Sequence, residues 1–170
     1  DPEQAVFTVG DGPATRVSKV HGTEKSPGGI SLQTVKETTI SDAFGNEVMQ
    51  EIYIKTAPGF ERVSWSYHTY DDQGRLIETL YSNHTRTEAN WSCCGKQSST
   101  DIYGITTSYQ YDDLKRVTKS INEATGVVTE FSYDAAGRQL SSVARNGGLA
   151  RTTSIRFDIS GRLVEKNNPA

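Results

Sequence analysis

The sequence predicts an all-β protein: tandem β-hairpin repeats that form a twisted, extended or partly wrapped antiparallel sheet. Three observations predict this class. A short turn motif recurs at intervals of about twenty residues. Apolar and polar residues alternate with a period of two before the clearest copies, and no segment has a sustained helical period. Hydrophobic residues make up only 34% of the chain, which favours a thin sheet over a globule with a thick core.

The turn motif begins with an aromatic residue and an aspartate and ends with a glycine and a basic residue. Four segments align without gaps: YDDQGRLIE from Tyr70, YDDLKRVTK from Tyr111, YDAAGRQLS from Tyr133 and FDISGRLVE from Phe157. The interval of 41 residues between the first two is about twice the later intervals of 22 and 24, so it predicts a missing copy near residue 91. WSCCGKQSS begins there, with Trp91 in the aromatic position.

A fainter copy of the motif divides the chain into two regions. SDAFGNEV, from Ser41, keeps Asp42 and Gly45 but lacks the aromatic residue and the arginine. We therefore expect N-terminal strands or a cap of unclear type over residues 1–40. Residues 41–170 are expected to form the hairpin array, with degenerate copies near 41 and 91 and clear copies from 70, 111, 133 and 157.

Each copy of the motif predicts one hairpin, in the order strand, turn, strand. Alternating segments such as TTSYQY and VVTEFSY lead into the aromatic residue and form the first strand. The aspartate accepts hydrogen bonds from the turn backbone and pairs with the arginine, and the glycine supplies a positive φ. Apolar residues such as Leu76 and Leu163 continue the return strand. Lys115 replaces the glycine and Ser92 replaces the aspartate, so these two turns are expected to differ in shape.

These segments resemble the tyrosine-aspartate (YD) repeats of the RHS family, whose signature is approximately YDxxGR. The resemblance covers residues 70–165 well and 41–69 weakly. It implies a continuous strip of hairpins that winds into a large hollow shell, as in bacterial toxin carriers and animal cell-adhesion proteins. With about five units, this chain is too short to close such a shell. We therefore expect a non-catalytic structural or shell segment of a larger secreted or cell-envelope protein, such as one at a bacterial cell surface, with adjacent repeats as its partners.

Charge and hydropathy exclude several other classes of protein. The net charge is −3 and the basic residues are scattered, so the chain lacks the basic patch of a nucleic-acid-binding protein. No apolar run approaches the roughly 18 residues of a membrane-spanning helix. No phosphate-binding glycine loop or nucleophile motif is present, and no cofactor is expected. The chain begins at Asp1 without a methionine, which suggests a processed or trimmed piece of a longer protein. A surface-like composition with abundant Ser, Thr and Tyr favours an extracellular or cell-envelope location.

Aromatic residues outside the regular motif are the candidates for binding a polysaccharide. The motif aromatics recur once per hairpin, so they are expected to join one hairpin to the next. An exposed ring outside that column would instead offer a flat apolar face to a sugar. The candidates are Trp65, Tyr67, Tyr81, Trp91 and Tyr103.

Cys93 and Cys94 are the only cysteines and occupy the two variable positions of one turn. Neighbouring Cα atoms lie ~3.8 Å apart, so a disulfide between them would be strained and easily reduced. Such a ring would form a rigid apolar knob beside Trp91 against which a sugar could rest. Two free thiols without a special role are the alternative. A metal site is not predicted, because a structural zinc site normally needs four ligands.

Two other functions remain open at this point. His68, Tyr70 and Arg75 would suit a lyase acting on an acidic polysaccharide: the histidine or tyrosine would abstract the proton next to a carboxylate, and the arginine would neutralise that carboxylate. The simpler interpretation of His68 is a partly buried side chain beside Tyr70. The third function is an assembly module, because an open array of hairpins has unpaired sheet edges.

Overall fold

The computed structural model describes residues 14–21, 24–25, 29–30, 34–56 and 58–168. Throughout these ranges the chain forms β-strands joined by turns and contains no helix, which confirms the predicted all-β class. It follows that no helix in the described part of the chain could cross a membrane.

Thirteen strands pair in sequence order in one antiparallel sheet, and two short strands form a separate ladder. The large sheet contains β1 (Thr15–His21), β4 (Val35–Ser41), β5 (Glu47–Lys55), β6 (Phe60–Tyr70), β7 (Leu76–Tyr81), β8 (Arg86–Trp91), β9 (Lys96–Thr100), β10 (Thr106–Tyr111), β11 (Val117–Asn122), β12 (Val128–Tyr133), β13 (Gln139–Asn146), β14 (Leu149–Phe157) and β15 (Leu163–Asn167). The short ladder contains β2 (Glu24–Lys25) and β3 (Gly29–Ile30).

The chain divides into two compact units, Asp1–Arg86 and Thr87–Ala170, which we call unit 1 and unit 2. Unit 1 contains β1 to β7, and the boundary falls at the start of β8. The predicted division at residue 41, between N-terminal strands or a cap and the hairpin array, stays a prediction.

The sheet has almost no hydrophobic core. Among the described residues, Val48 is the only hydrophobic side chain that is buried. The other buried side chains are polar or charged: Thr34, Thr38, Glu51, Ser66 and Thr79. Hydrogen bonds and contacts between neighbouring strands must therefore contribute much of what a hydrophobic core supplies in a globular domain.

One aspartate organises each clear turn, and Asp112 shows the arrangement. Its N–H donates to the Arg116 carbonyl at 3.0 Å. Its Oδ1 accepts from the N–H groups of Leu114 and Arg116, at 3.0 and 2.9 Å. Its Oδ2 accepts from Arg116 Nε at 2.7 Å. Asp71 and Asp158 make the same set of bonds.

The expected change of shape at Lys115 was wrong. Lys115 adopts φ 60°, the same left-handed region as Gly74 and Gly137 in the equivalent position. Its N–H donates to the Asp112 carbonyl at 2.9 Å, as the glycine does in the other turns. The bonds to the aspartate hold the turn in this conformation although a side chain there costs roughly 1 kcal/mol.

The turn at Ser92 does differ, as expected. Here Trp91 pairs directly with Lys96, so the turn is one residue shorter than at Tyr70, which pairs with Leu76. The Ser92 N–H donates to the Gly95 carbonyl at 2.9 Å. A serine hydroxyl has one acceptor oxygen and cannot reproduce the bonds of a carboxylate.

Two further turns use an aspartate in the same way without the full motif. At Asp42, Asn46 takes the place of the arginine and donates its Nδ2 to Asp42 Oδ2 at 3.0 Å. At Asp101, the carboxylate accepts the N–H groups of Tyr103 and Ile105. Sequence analysis missed the second turn, because DIYGI has neither the preceding aromatic residue nor the following basic residue.

The motif tyrosines connect each hairpin to the hairpin before it. In unit 2, the Tyr111 hydroxyl donates to the Lys96 carbonyl at 2.7 Å, and the Tyr133 hydroxyl donates to the Val117 carbonyl at 2.7 Å. In unit 1, the Tyr70 hydroxyl donates to the Glu47 carbonyl at 2.8 Å. In each case the acceptor lies at the start of the preceding return strand.

The motif arginines reinforce this connection. The Arg116 guanidinium lies 4.9 Å from the centroid of the Tyr133 ring and donates to the Asp134 carbonyl at 3.1 Å. Arg138 lies 4.8 Å from the centroid of the Phe157 ring. One arginine therefore holds its own aspartate and also stacks on the aromatic residue of the next copy.

We expect Tyr133→Phe to lower the free energy of unfolding by about 1 kcal/mol, because the hydroxyl bond to the Val117 carbonyl is lost. Tyr103→Phe is the matched control, since Tyr103 is 81% exposed. Urea unfolding followed by circular dichroism measures both variants. Equal stability of the two variants would contradict the structural role of the hydroxyl.

We expect stability to fall in acid. Backbone hydrogen bonds from the residue four positions later lower the pKa of Asp71, Asp112, Asp134 and Asp158 below the ordinary value of 3.8. Since the folded chain binds protons less readily than the unfolded chain, the stabilisation is complete above that value and is lost as the pH falls through the lowered pKa values. Urea midpoints measured between about pH 6 and pH 2 test this expectation. Midpoints that stay constant down to pH 2 would contradict it.

Candidate functional site

The aromatic candidates of unit 1 lie on opposite faces of the sheet. Cross-strand partners point to the same face, and neighbours along a strand point to opposite faces. Tyr67 pairs with Leu80 and Ser66 pairs with Tyr81. Trp65 and Tyr67 therefore share one face of β6, and Tyr81 lies on the other. All three side chains are half-buried.

His68 lies in a hydrogen-bonded row of side chains. Its Nε2 is 3.1 Å from Ser66 Oγ, and its Nδ1 is 3.1 Å from Thr79 Oγ1. Glu47 Oε1 lies 3.7 Å from Nε2. Burial lowers the pKa of His68, and the nearby Glu47 carboxylate partly opposes that shift. The imidazole is therefore kept neutral near pH 7.

His68 and Tyr70 line one open cleft of about 610 Å³, together with the turns at Asp42 and Asp71. The Tyr70 hydroxyl is already bonded to the Glu47 carbonyl. Arg75 does not line this cleft, and its guanidinium contacts Asp71 Oδ2 at 2.7 Å. The structure thus brings together two of the three residues of the lyase hypothesis.

The two cysteines lie side by side at the tip of the β8–β9 turn. Both are exposed free thiols, and their Sγ atoms are 3.0 Å apart. The hydrogen bond between them raises the pKa of Cys94, and the Cys93 charge raises it further. The thiol form is therefore favoured over the reactive thiolate.

Gly95 in this turn is required by a close contact. A Cβ atom at Gly95 would lie 2.7 Å from Cζ of the Tyr111 ring, which is too close for any side chain. The packing of Tyr111 therefore requires a glycine at this position of the degenerate copy.

A second open cleft, of about 490 Å³, lies beside this turn. Its lining includes Cys94, Tyr109, Tyr111, Asp113 and Lys115.

The two aromatic candidates of unit 2, Trp91 and Tyr103, do not line that cleft. Lys96 Nζ lies 5.2 Å from the centroid of the Trp91 ring, and Tyr103 is exposed at the β9–β10 turn. Cys94 therefore borders a cleft with room for a small ligand, and neither Trp91 nor Tyr103 contributes to the walls of that cleft.

No metal site is found among the residues that the structure describes, because no three His, Cys, Asp or Glu side chains cluster there.

A group that sequence analysis missed lies on the Trp65 face of unit 1. Glu51 is buried in the sheet, with its side chain only 7% exposed. Arg16 contacts its Oε2 at 3.1 Å, and Arg62 contacts its Oε1 at 3.0 Å. Burial and a hydrogen bond to Glu51 raise the pKa of Tyr53 beside them.

Two lysines extend this group. Lys36 Nζ lies 4.0 Å from the centroid of the Tyr53 ring and 5.2 Å from that of Phe60. Lys55 Nζ lies 5.1 Å from the Phe60 centroid. The alternation in EIYIK could have placed Glu51, Tyr53 and Lys55 on one face, but it does not show which residues of other strands meet them.

No family model matches the sequence, and no curated protein matches it. A solved structure described as "Crystal Structure of TcdB2-TccC3-TEV" is similar with a TM-score of 0.33 and 11% sequence identity. The match covers 79% of this chain, and this chain spans only 11% of that one.

We expect His68 to give the protein a second pH-dependent loss of stability, at milder acidity than the aspartates. Because the pKa of His68 is lowered from its ordinary 6.5, its contribution is complete above that pH and is lost as the pH falls below it. Thermal unfolding between about pH 8 and pH 5 measures this loss. His68→Gln should remove it, and a loss of the same size in that variant would contradict the assignment.

Proposed function

We propose that this chain is a non-catalytic structural segment of YD-type repeats within a larger secreted or cell-envelope protein. The observation that carries the proposal is the bonding between successive copies of the motif. The hydroxyl of Tyr133 reaches the preceding copy, and Arg116 reaches forward to the Tyr133 ring. Residues used in this way in several copies serve the sheet, whereas a catalytic group is needed once.

The outermost strands support a role beside adjacent repeats. β1 and β15 each pair with one strand of the described sheet. Every described residue of both strands is exposed. An exposed strand edge presents unpaired N–H and carbonyl groups to which a further hairpin can bond.

The lyase hypothesis has less support. Tyr70 and Arg75 are engaged in the same contacts that hold the other copies of the motif. A base and a neutralising cation must be available to substrate.

Carbohydrate binding is a second candidate function. The observation that favours it is the position of Trp65 and Tyr67 on one face of β6, both half-buried and therefore partly accessible. A ring with an accessible face can stack on a sugar.

We expect the intact chain to associate through its outer strands, so that its mass in solution rises with concentration. Val17→Lys combined with Val164→Lys places a charge on β1 and on β15, where the valines are 49% and 53% exposed, and should reduce association. Leu114→Lys combined with Leu149→Lys is the matched control, since it exchanges exposed hydrophobic residues away from these two strands. Light scattering after size-exclusion chromatography measures the mass. A monomer at every concentration, or equal effects of the two double variants, would contradict the proposal.

A further inference from the structure

The residues around Glu51 form one continuous surface of unit 1, which we call the basic–aromatic face: Arg16, Lys36, Lys55, Arg62, Glu51, Tyr53 and Phe60. The strand register places them together. Lys36 pairs with Tyr53, Tyr53 pairs with Arg62, and Lys55 pairs with Phe60. Since paired residues point to the same side of a sheet, these side chains share one face.

This face has a marked excess of positive charge. The residues of this face include four cationic side chains and one carboxylate, that of Glu51, which Arg16 and Arg62 contact. Lys36 and Lys55 lie over aromatic rings and form no ion pair with the described residues. A ring orients an ammonium group without removing its charge. The face is therefore locally positive in a chain whose net charge is −3.

We propose that the basic–aromatic face binds an acidic polysaccharide. The carboxylate or sulfate groups of the polymer would contact Lys36, Lys55 and Arg62, because charge-assisted hydrogen bonds to such groups are among the strongest that a protein surface makes. The inference deepens the carbohydrate-binding candidate above and is independent of the structural role.

The shape of the face favours an extended polymer over a small anion. The cations lie on β1, β4, β5 and β6, which are consecutive strands of the sheet. Neighbouring strands are about 4.8 Å apart, so the charges extend across roughly 14 Å. Trp65 pairs with Glu51 and therefore lies on the same face, where its ring can contact a sugar of the bound polymer.

The same charges suit a nucleic acid less well. Nucleic-acid-binding domains are typically basic overall and contact many phosphates. Here four cations lie on one face of a chain with a net negative charge. The predicted ligand is therefore a carboxylated or sulfated glycan.

Isothermal titration of the intact chain with polygalacturonate and with heparin tests the inference, with neutral dextran and duplex DNA as comparison ligands. The variant Lys36→Gln with Lys55→Gln should bind the acidic glycan about tenfold more weakly, through the loss of two charged contacts. The matched control is Lys119→Gln with Lys166→Gln, which removes the same charge from unit 2 and should bind as the unaltered chain does. Lys36→Arg with Lys55→Arg, which keeps the charge, should retain binding.

Several results would overturn the inference. These are no binding of either acidic glycan, equal losses in the two glutamine variants, and DNA binding as tight as glycan binding. Circular dichroism shows whether the Lys36/Lys55 glutamine variant folds. If it does not fold, the test uses the unaltered chain, whose lysines are acetylated with and without bound glycan. Protection of Lys36 and Lys55 but not of Lys119 and Lys166 supports the inference, and uniform protection overturns it. Either outcome is independent of the mass measurements, so failure here is distinguishable from failure of the structural role.

Discussion

The aspartate carboxylate at each clear turn bonds to two backbone N–H groups and to the side chain of the motif arginine, and so fixes the shape of the turn. In the copy at Asp112, one carboxylate oxygen accepts two backbone N–H groups, and the other accepts the side chain of Arg116, the residue directly before the return strand. The turn therefore positions the residue before it, Tyr111, and the residue after it, Arg116. The Tyr111 hydroxyl bonds to the preceding copy, and Arg116 stacks on the Tyr133 ring of the next copy. The contacts between hairpins thus depend on the bonds within each turn.

This arrangement explains how a chain with so few buried apolar side chains can form an ordered sheet. The stabilising contacts are local and recur in successive copies, as in other repeat proteins, where each unit mainly contacts its neighbours. The buried positions are occupied by polar side chains such as Thr38, Glu51 and Ser66, each with a hydrogen-bonding or charged partner. A thin sheet also leaves both faces available for contacts, and the basic–aromatic face is one that the repeat itself does not require.

The sequence predicted those features that follow from local spacing. The interval between Tyr70 and Tyr111 was enough to locate the copy at Trp91, and the missing carboxylate at Ser92 was enough to predict a different turn. The prediction for the Lys115 turn was wrong. The hydrogen bonds around Asp112 hold Lys115 at a positive φ, although a residue other than glycine is disfavoured there.

Other features depend on the register between strands and could not be predicted from spacing. Bulges shift the register in both β4–β5 and β5–β6, between Ile40 and Ser41 and between Ile52 and Tyr53. Alternation alone therefore does not show that Arg62 meets Tyr53, or that Arg16 meets Glu51. The opposite placement of Tyr67 and Tyr81 has the same origin, since it depends on which residues of β6 and β7 are paired.

The most direct test of this account compares two adjacent aspartates. Asp112 makes the bonds that define its turn, whereas Asp113, the next residue, is exposed at the tip of the turn. Both can be changed to alanine with the same loss of charge, and thermal unfolding can be followed by circular dichroism. The account predicts that Asp112→Ala lowers the unfolding temperature clearly and that Asp113→Ala leaves it nearly unchanged. Equal unfolding temperatures for the two variants would contradict the claim that the motif aspartate holds the array together.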